Sequence, residues 1–228
     1  MPAVKNRVAI IGGTGGLGGG LAYRWAAAGI PIVIGSRSAD KAVQAAKELE
    51  SKVEGASITG LANRAAAAVG DIVIITVPYA HLAATLDEIK GEVAGKVIVD
   101  ATVPLVPPKV GTVQLPKDGP VACHIAEVLG DEVDVVAAFH NVAADKLRSA
   151  GPIDCDVLVF GNKKVSRQLV IDLIELLEMR GLHAGPLANS TAAEALTSVL
   201  ITINKYYKVP GAGIRITGEL ISPETTGD

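Results

Sequence analysis

Cysteine is nearly absent from this chain of 228 residues, where only Cys123 and Cys155 occur. Two thiols cannot build a disulfide framework or an all-cysteine zinc site. The four histidines show no metal-ligand spacing with carboxylates, so no metal site is expected. Aromatic residues make up 3%, which leaves few rings to stack against a planar ligand. No apolar run reaches the ~18 residues of a membrane-spanning helix. Positive charge is not in excess, with 21 Lys+Arg against 24 Asp+Glu and a net charge of -3, so the basic balance of a nucleic-acid-binding domain is missing. The apolar stretch near the start ends in glycines after a few residues and has no cleavage-type segment. It reads as a strand and not as a signal peptide, and the expectation is a cytoplasmic protein.

Glycine, by contrast, is abundant. The chain has 25, seven of them in the first twenty positions. The excess is local and the remainder is apolar and periodic, which excludes low-complexity disorder. Short β-branched runs at 7–11, 31–35, 71–77, 96–100 and 134–139 read as buried strands. A possible edge strand lies at 57–60, and two more strands at 156–161 and 182–184. Helical patterns occupy 18–28, 39–50, 61–69, 82–93, 121–129, 164–179 and 188–205. Residues 104–120 are Pro-rich and read as a long irregular loop, and the tail from Ser222 is polar. Strand and helix alternate with short connections, which implies an α/β fold, a doubly wound and mostly parallel sheet with helices on both faces.

Gly13-Thr14-Gly15-Gly16-Leu17-Gly18 fits G-x-G-x-x-G between the first strand and the first helix. Gly13 permits the tight turn, Gly15 lets backbone approach a pyrophosphate, and Gly18 lets the helix pack close to the sheet. The helix start adds free N–H groups and partial positive charge. At the end of the second strand, an NAD site would place a carboxylate for the ribose 2′-OH. Here the chain has Ser36, Arg37 and, four residues on, Lys41. A hydroxyl, a planar guanidinium fork and an ammonium suit a 2′-phosphate, with Thr14 close by, so the expected dinucleotide is NADP. The plainer reading is a solvated helix start with a serine cap. Val77, Pro78 and His81 follow the 71–77 strand, where ligands bind in such sheets. His81 either reaches the cofactor or opens the next helix, and Tyr79 is either a crevice wall or a surface aromatic.

A second candidate site lies at His140, Asn141 and Val142, at the end of the 134–139 strand. Asn189-Ser190, opening the last helix, is a third, and a helix cap explains it equally well on sequence alone. Cys155 sits between Asp154 and Asp156, an acidic setting that raises its pKa and quiets the thiol. The last helix carries an apolar set, Leu196, Val199, Leu200 and Ile203, read as core or interface with a lean toward interface.

Taken in order, IIGGTGGLGGGLA, VIGSRSADKA, ITVPYAH, AFHNVAA, GPLANS and PGAGIRITG make the chain resemble the coenzyme F420:NADP oxidoreductases. It departs from the family pattern at Tyr79, Ala143 and Cys123-His124. The resemblance implies a Rossmann-like NADP-binding domain over 1–187. A small C-terminal helical part at 188–228 would complete the deazaflavin pocket and the interface of a homodimer or higher homo-oligomer. It implies reversible hydride transfer between the nicotinamide of NADP(H) and the deazaflavin of coenzyme F420. It also implies 2′-phosphate contacts at Thr14, Ser36, Arg37 and Lys41, and a backbone contact to the nicotinamide carboxamide at Ala144. The deazaflavin pocket would be lined by His140, Val142, Asn189 and Ser190. Two other readings stay open at this point: another NADP-dependent reductase on the same fold, acting on imines or flavin-bound ferric iron, and a non-catalytic NADP-sensing module.

Overall fold

The structure is a computed structural model and describes residues 6–148 and 151–221. Its centre is an eight-stranded sheet in the order β3-β2-β1-β4-β5-β6-β7-β8. The strands are β1 (Val8–Ile11), β2 (Ile32–Ser36), β3 (Ile58–Ala62), β4 (Ile72–Ile75), β5 (Val97–Asp100), β6 (Asp134–Ala137), β7 (Asp156–Gly161) and β8 (Arg180–His183). The first six pair in parallel, with Ile10 between Ile34 and Ile74 and Val99 between Ile74 and Val136. β7 then runs antiparallel to β6, and β8 parallel to β7. The sheet is thus the mostly parallel, doubly wound one expected.

Strands buried on both faces need two helical layers. On one face, α1 (Gly16–Ala27), α2 (Ala39–Glu50) and α6 (Lys164–Glu175) pack on Val8, Ile10, Ile34 and Val157. On the other, α3 (Asn63–Val69), α4 (Leu82–Ile89) and α5 (Val121–Leu129) cover Ala9, Ile11, Val73 and Ile98. The last helix, α7 (Ser190–Tyr207), is tied to the body by its own threonines and serine. Thr197 Oγ1 donates to the His140 carbonyl (2.8 Å), Ser198 Oγ to that of Thr112 (3.4 Å) and Thr202 Oγ1 to that of Gly111 (3.0 Å).

Several boundaries differ from the sequence reading. α1 begins at Gly16 instead of residue 18, because the glycine turn needs no side chain to enter a helix. β3 extends to Ala62, and the helix expected from 61 starts at Asn63. The β4 ladder stops at Ile75, since Pro78 can donate no N–H and the chain is already turning. α4 gives way to a 3-10 turn at Lys90–Glu92, around Gly91. The apolar set on α7 divides: Leu200 is core, Leu196 and Ile203 are half-buried, and Val199 is exposed. The tail from Ser222 lies outside the described residues. Among the described residues no helix is long and apolar enough to cross a membrane.

The segment after α7 returns to the sheet and is held by one buried carboxylate. Asp156 accepts two bonds from the Arg180 guanidinium and one from the Ile216 N–H (2.7 Å), and the Arg215 guanidinium lies 3.6 Å away. Burial alone would push the Asp156 carboxyl up. The Arg180 and Ile216 hydrogen bonds and the two arginine charges outweigh that and hold it below the usual carboxylate range. A folded pKa below the unfolded one makes the contribution complete above about pH 4 and lost as pH falls through the folded value. Arg180 is 37% exposed, so solvent screens the pair and it is worth less than a fully buried one. Asp156→Asn should therefore lower the melting temperature by roughly 5 °C at pH 7. The gap to wild type should narrow on acidification toward pH 3, as followed by circular dichroism melts.

Candidate functional site

The turn after β1 is set by space. Gly12 has φ +83°, in the left-handed region that favours glycine. The positive φ thus falls one residue before Gly13, to which the sequence reading assigned the turn. A Cβ on Gly13 would lie 2.9 Å from the Ile10 carbonyl, and one on Gly18 would lie 2.5 Å from Thr76 Oγ1. At both positions the protein itself fills the space. Gly15 differs: a Cβ there would meet only the Gly12 carbonyl, at 3.2 Å. Its freedom serves a place that protein leaves open. Gly15 is also the N-cap of α1 and gives no side-chain cap, so the first N–H groups face outward.

These groups form one wall of a crevice of about 500 Å³ above the carboxyl ends of β1 to β4. Gly12, Thr14, Gly15 and Gly16 line it from the glycine turn, Ser36, Arg37, Ser38 and Lys41 from the end of β2, and Val77, Pro78 and His81 from the end of β4. The lining contains two cations and no carboxylate. Ser36 is buried and its Oγ accepts the Ser38 N–H (3.3 Å). Ser38, not Ser36, caps α2, its Oγ accepting the Lys41 N–H (3.4 Å). Arg37 and Lys41 are exposed at the rim. His81 lines the crevice and stands at the N-cap position of α4, where its side chain makes no cap bond. Leu17 is half-buried against the core, so it can serve a ligand only through its backbone. Gly18 lies beneath the turn, and Tyr79 packs on the opposite core layer.

Sequence reasoning missed Asn63, Thr76 and Thr85 in this wall. Asn63 is 1% exposed and donates Nδ2–H to Glu88 (3.0 Å), while its Oδ1 has no partner. An unpaired buried acceptor beside the crevice fits a ligand donor. In sequence it fell within the helix expected from 61, and only the extension of β3 to Ala62 places it at a strand end.

The second group lies along the ends of β5 and β6. Phe139 takes φ +70° and packs edge-on to Trp25 (5.9 Å between rings), which reverses the chain so that His140 turns inward. The His140 side chain has no exposure, and neither ring nitrogen has a hydrogen-bond partner. Its Nε2 lies 3.9 Å from Asp100 Oδ2. Asn141 Nδ2 donates to the Asp156 carbonyl (2.7 Å) and Val142 is buried. Ser190 is buried and its Oγ donates to Glu194 (3.3 Å). Asn189 does not cap α7; its Nδ2 donates to the Ala184 carbonyl (3.2 Å), across Gly185. Ala144 opens a 3-10 segment, Ala144–Arg148, and its Cβ would lie 3.6 Å from a Cβ on Gly16. The segment is anchored by Arg24, whose buried guanidinium donates to the carbonyls of Leu147, Leu177 and Gly151.

The Cys155 thiol is pushed up chiefly by burial; Asn141 and Ile214 oppose this, and Asp156 and Asp154 add to it. The acidic neighbours thus act in the expected direction but are not the main cause. Among the described residues no group of three His, Cys, Asp or Glu could hold a metal ion.

The family described as NADP oxidoreductase, coenzyme F420-dependent, matches residues 7–104. An F420-dependent NADP reductase of Methanocaldococcus jannaschii is 41% identical over 220 residues, covering 92% of this chain and 98% of the relative. One from Methanothermobacter marburgensis is 38% identical with the same coverage. Among solved structures, one from Arthrobacter sp. FB24, described as a candidate F420-dependent NADP reductase, superposes with a TM-score of 0.76. It is 24% identical and covers 92% of this chain and 99% of its own. A reductive aminase from Aspergillus terreus reaches 0.62 at 19% identity, over 90% of this chain and 64% of its own. At such identities these two report the shared fold. The 41% identity carried across nearly the whole chain is of another order, and with it this chain belongs to the coenzyme F420-dependent NADP oxidoreductase family.

Proposed function

We propose that this protein is an oxidoreductase that transfers a hydride reversibly between NADP(H) and coenzyme F420. The reading rests on its family membership and on one geometric fact: Ala144 lies against Gly16, so the glycine-turn crevice adjoins the His140 segment. When bound, NADPH supplies a hydride, and the deazaflavin exchanges electrons in pairs because carbon replaces nitrogen at its position 5.

The protein's share of the work is binding and positioning. The N–H groups at Gly16, Leu17 and Gly18 hold the pyrophosphate, with Gly13 and Gly15 giving backbone access. Thr14, Ser36, Arg37 and Lys41 hold the 2′-phosphate, and the absence of a carboxylate from the crevice lining removes the usual NAD partner. Val77, Pro78 and His81 wall the adenosine side, and Ala144 offers backbone to the nicotinamide carboxamide. The deazaflavin pocket is assigned to His140, Val142, Asn189 and Ser190, of which only Asn189 is exposed, with the described part of the C-terminal segment, 188–221, completing it. With Val199, Tyr206 and Tyr207 exposed on α7, the outer face of that helix is assigned to the interface of a homodimer or higher homo-oligomer.

Mixing protein, NADPH and oxidised coenzyme F420 should bleach the deazaflavin absorbance band; no bleaching at acidic or alkaline pH overturns the reading. His140→Ala should lower kcat/KM for the deazaflavin at least tenfold in the same assay. Arg37→Ala with Lys41→Ala removes two charge-assisted contacts worth about 1.5–3 kcal/mol each. Fluorescence titration should show Kd for NADPH rising at least tenfold, with Kd for NADH moving less than twofold.

A further inference from the structure

Beneath the His140 loop, three ionisable side chains from three elements meet without solvent. Asp100 ends β5 at 0% exposure with the His140 ring beside it, and Glu194 lies on α7 at 1%, close enough for the charge of either to act on its carboxyl. Asp100 is anchored on one side, where Oδ1 accepts the Thr102 N–H (2.9 Å). Its Oδ2 is unpartnered and faces His140 Nε2 at 3.9 Å. Glu194 Oε2 accepts the Val121 N–H (3.1 Å) at the start of α5, and Oε1 accepts the Ser190 hydroxyl. Burial pushes the Glu194 carboxyl up; the Val121 N–H and His140 pull it down, and Asp100 pushes it up again.

Charged groups buried with unsatisfied atoms are poor fold stabilisers, and apolar residues of the same size would pack the site as well or better. Asp100 Oδ2, Thr102 Oγ1 and both His140 ring nitrogens are four of the six unpartnered buried side-chain atoms among the described residues. Their gathering in one place calls for a functional account. Neither carboxylate was singled out from sequence, and each holds a residue that was.

We propose that Asp100 and Glu194 are positioning residues of the deazaflavin site. Asp100 orients the His140 ring, and Glu194 orients the Ser190 hydroxyl while seating α7 on the start of α5. This rests on the reading that His140 and Ser190 face the deazaflavin. The 3.9 Å separation closes to a hydrogen bond when the pocket is filled, as catalytic contacts commonly tighten on binding.

The test is a double-mutant cycle on the full-length protein. Asp100→Asn keeps an acceptor for the Thr102 N–H and removes the charge. It should lower deazaflavin kcat/KM at least tenfold, with Kd for NADPH within twofold of wild type and an unchanged circular dichroism spectrum. In a His140→Ala background the same substitution should cost less than twofold. An equal loss in both backgrounds, or no loss in wild type, overturns the Asp100 assignment. If His140→Ala alone leaves the reaction unchanged, the pocket reading has failed first and the proposal falls with it. For Glu194, Gln keeps an oxygen for the Val121 N–H and offers an amide N–H that the Ser190 hydroxyl accepts, so it should retain activity within threefold, whereas Ala should lose tenfold; equal activity of the two overturns its role. Should Asp100→Asn not fold, 15N spectra of the wild-type imidazole decide: addition of the deazaflavin should shift the His140 Nε2 resonance toward a hydrogen-bonded donor, and no shift overturns the proposal.

Discussion

The parallel run of six strands is the constraint on which the rest depends. Apart from the edge strand β3, where Thr59 is exposed, β1 to β6 are largely buried on both faces, so polar chemistry has little place along their length. It is driven to the ends. Because the strands share one direction, their carboxyl ends share one edge, and that edge collects the glycine turn, Ser36, Asn63, Thr76, Asp100 and His140 from six points in sequence. The glycine turn, Ser36, Asn63 and Thr76 line one crevice there, while Asp100 and the His140 ring are buried beneath the same edge. β1 to β4 are each followed within a few residues by a turn or helix, whereas β5 leads into the irregular stretch before α5.

The two halves of the edge are joined through α1. Gly20 would bring a Cβ within 2.6 Å of Leu147, so only glycine lets the 3-10 segment lie directly on the helix. Arg24, one turn on, grips the same segment through main-chain carbonyls, with Gly151 and Leu177. A buried guanidinium bound to carbonyls is costly to desolvate, yet each such bond fixes backbone instead of a flexible side chain. The result is that Ala144 is held against Gly16. Substitution at either position would disturb both ligand sites together, although neither residue needs to touch the deazaflavin.

Much of this was legible in sequence, and the reason is periodicity. Runs such as DIVIITV alternate with helical segments closed by residues such as Gly29, at φ +83°, and these patterns report burial directly. The glycine turn and Ser36-Arg37 could be read because dinucleotide binding imposes backbone geometry and charge at fixed spacing. What escaped was contact between distant segments. Asn63 looks like a helix start, Asp100 like a strand end and Glu194 like a polar residue on an apolar helix. Only the fold shows that the first leaves an acceptor unpaired, that the second faces the His140 ring and that the third holds the Ser190 hydroxyl. The polarity of β7 was equally hidden, because a buried strand reads the same in either direction.

That reversal has a consequence for the site. With β7 antiparallel to β6, its beginning and not its end stands at the functional edge. Cys155 and Asp156 therefore lie next to the chain leaving β6, and Asn141 can donate to the Asp156 carbonyl. The same placement gives the C-terminal segment somewhere to dock. Gly211 fits against Ala143, Gly213 against Cys155, and Ile214 and Ile216 bond to Asp156. Had β7 continued parallel, Asp156 would sit at the opposite edge, and this segment could not reach the loop that carries His140. The antiparallel strand thus brings residues 211–216 against the loop that carries His140.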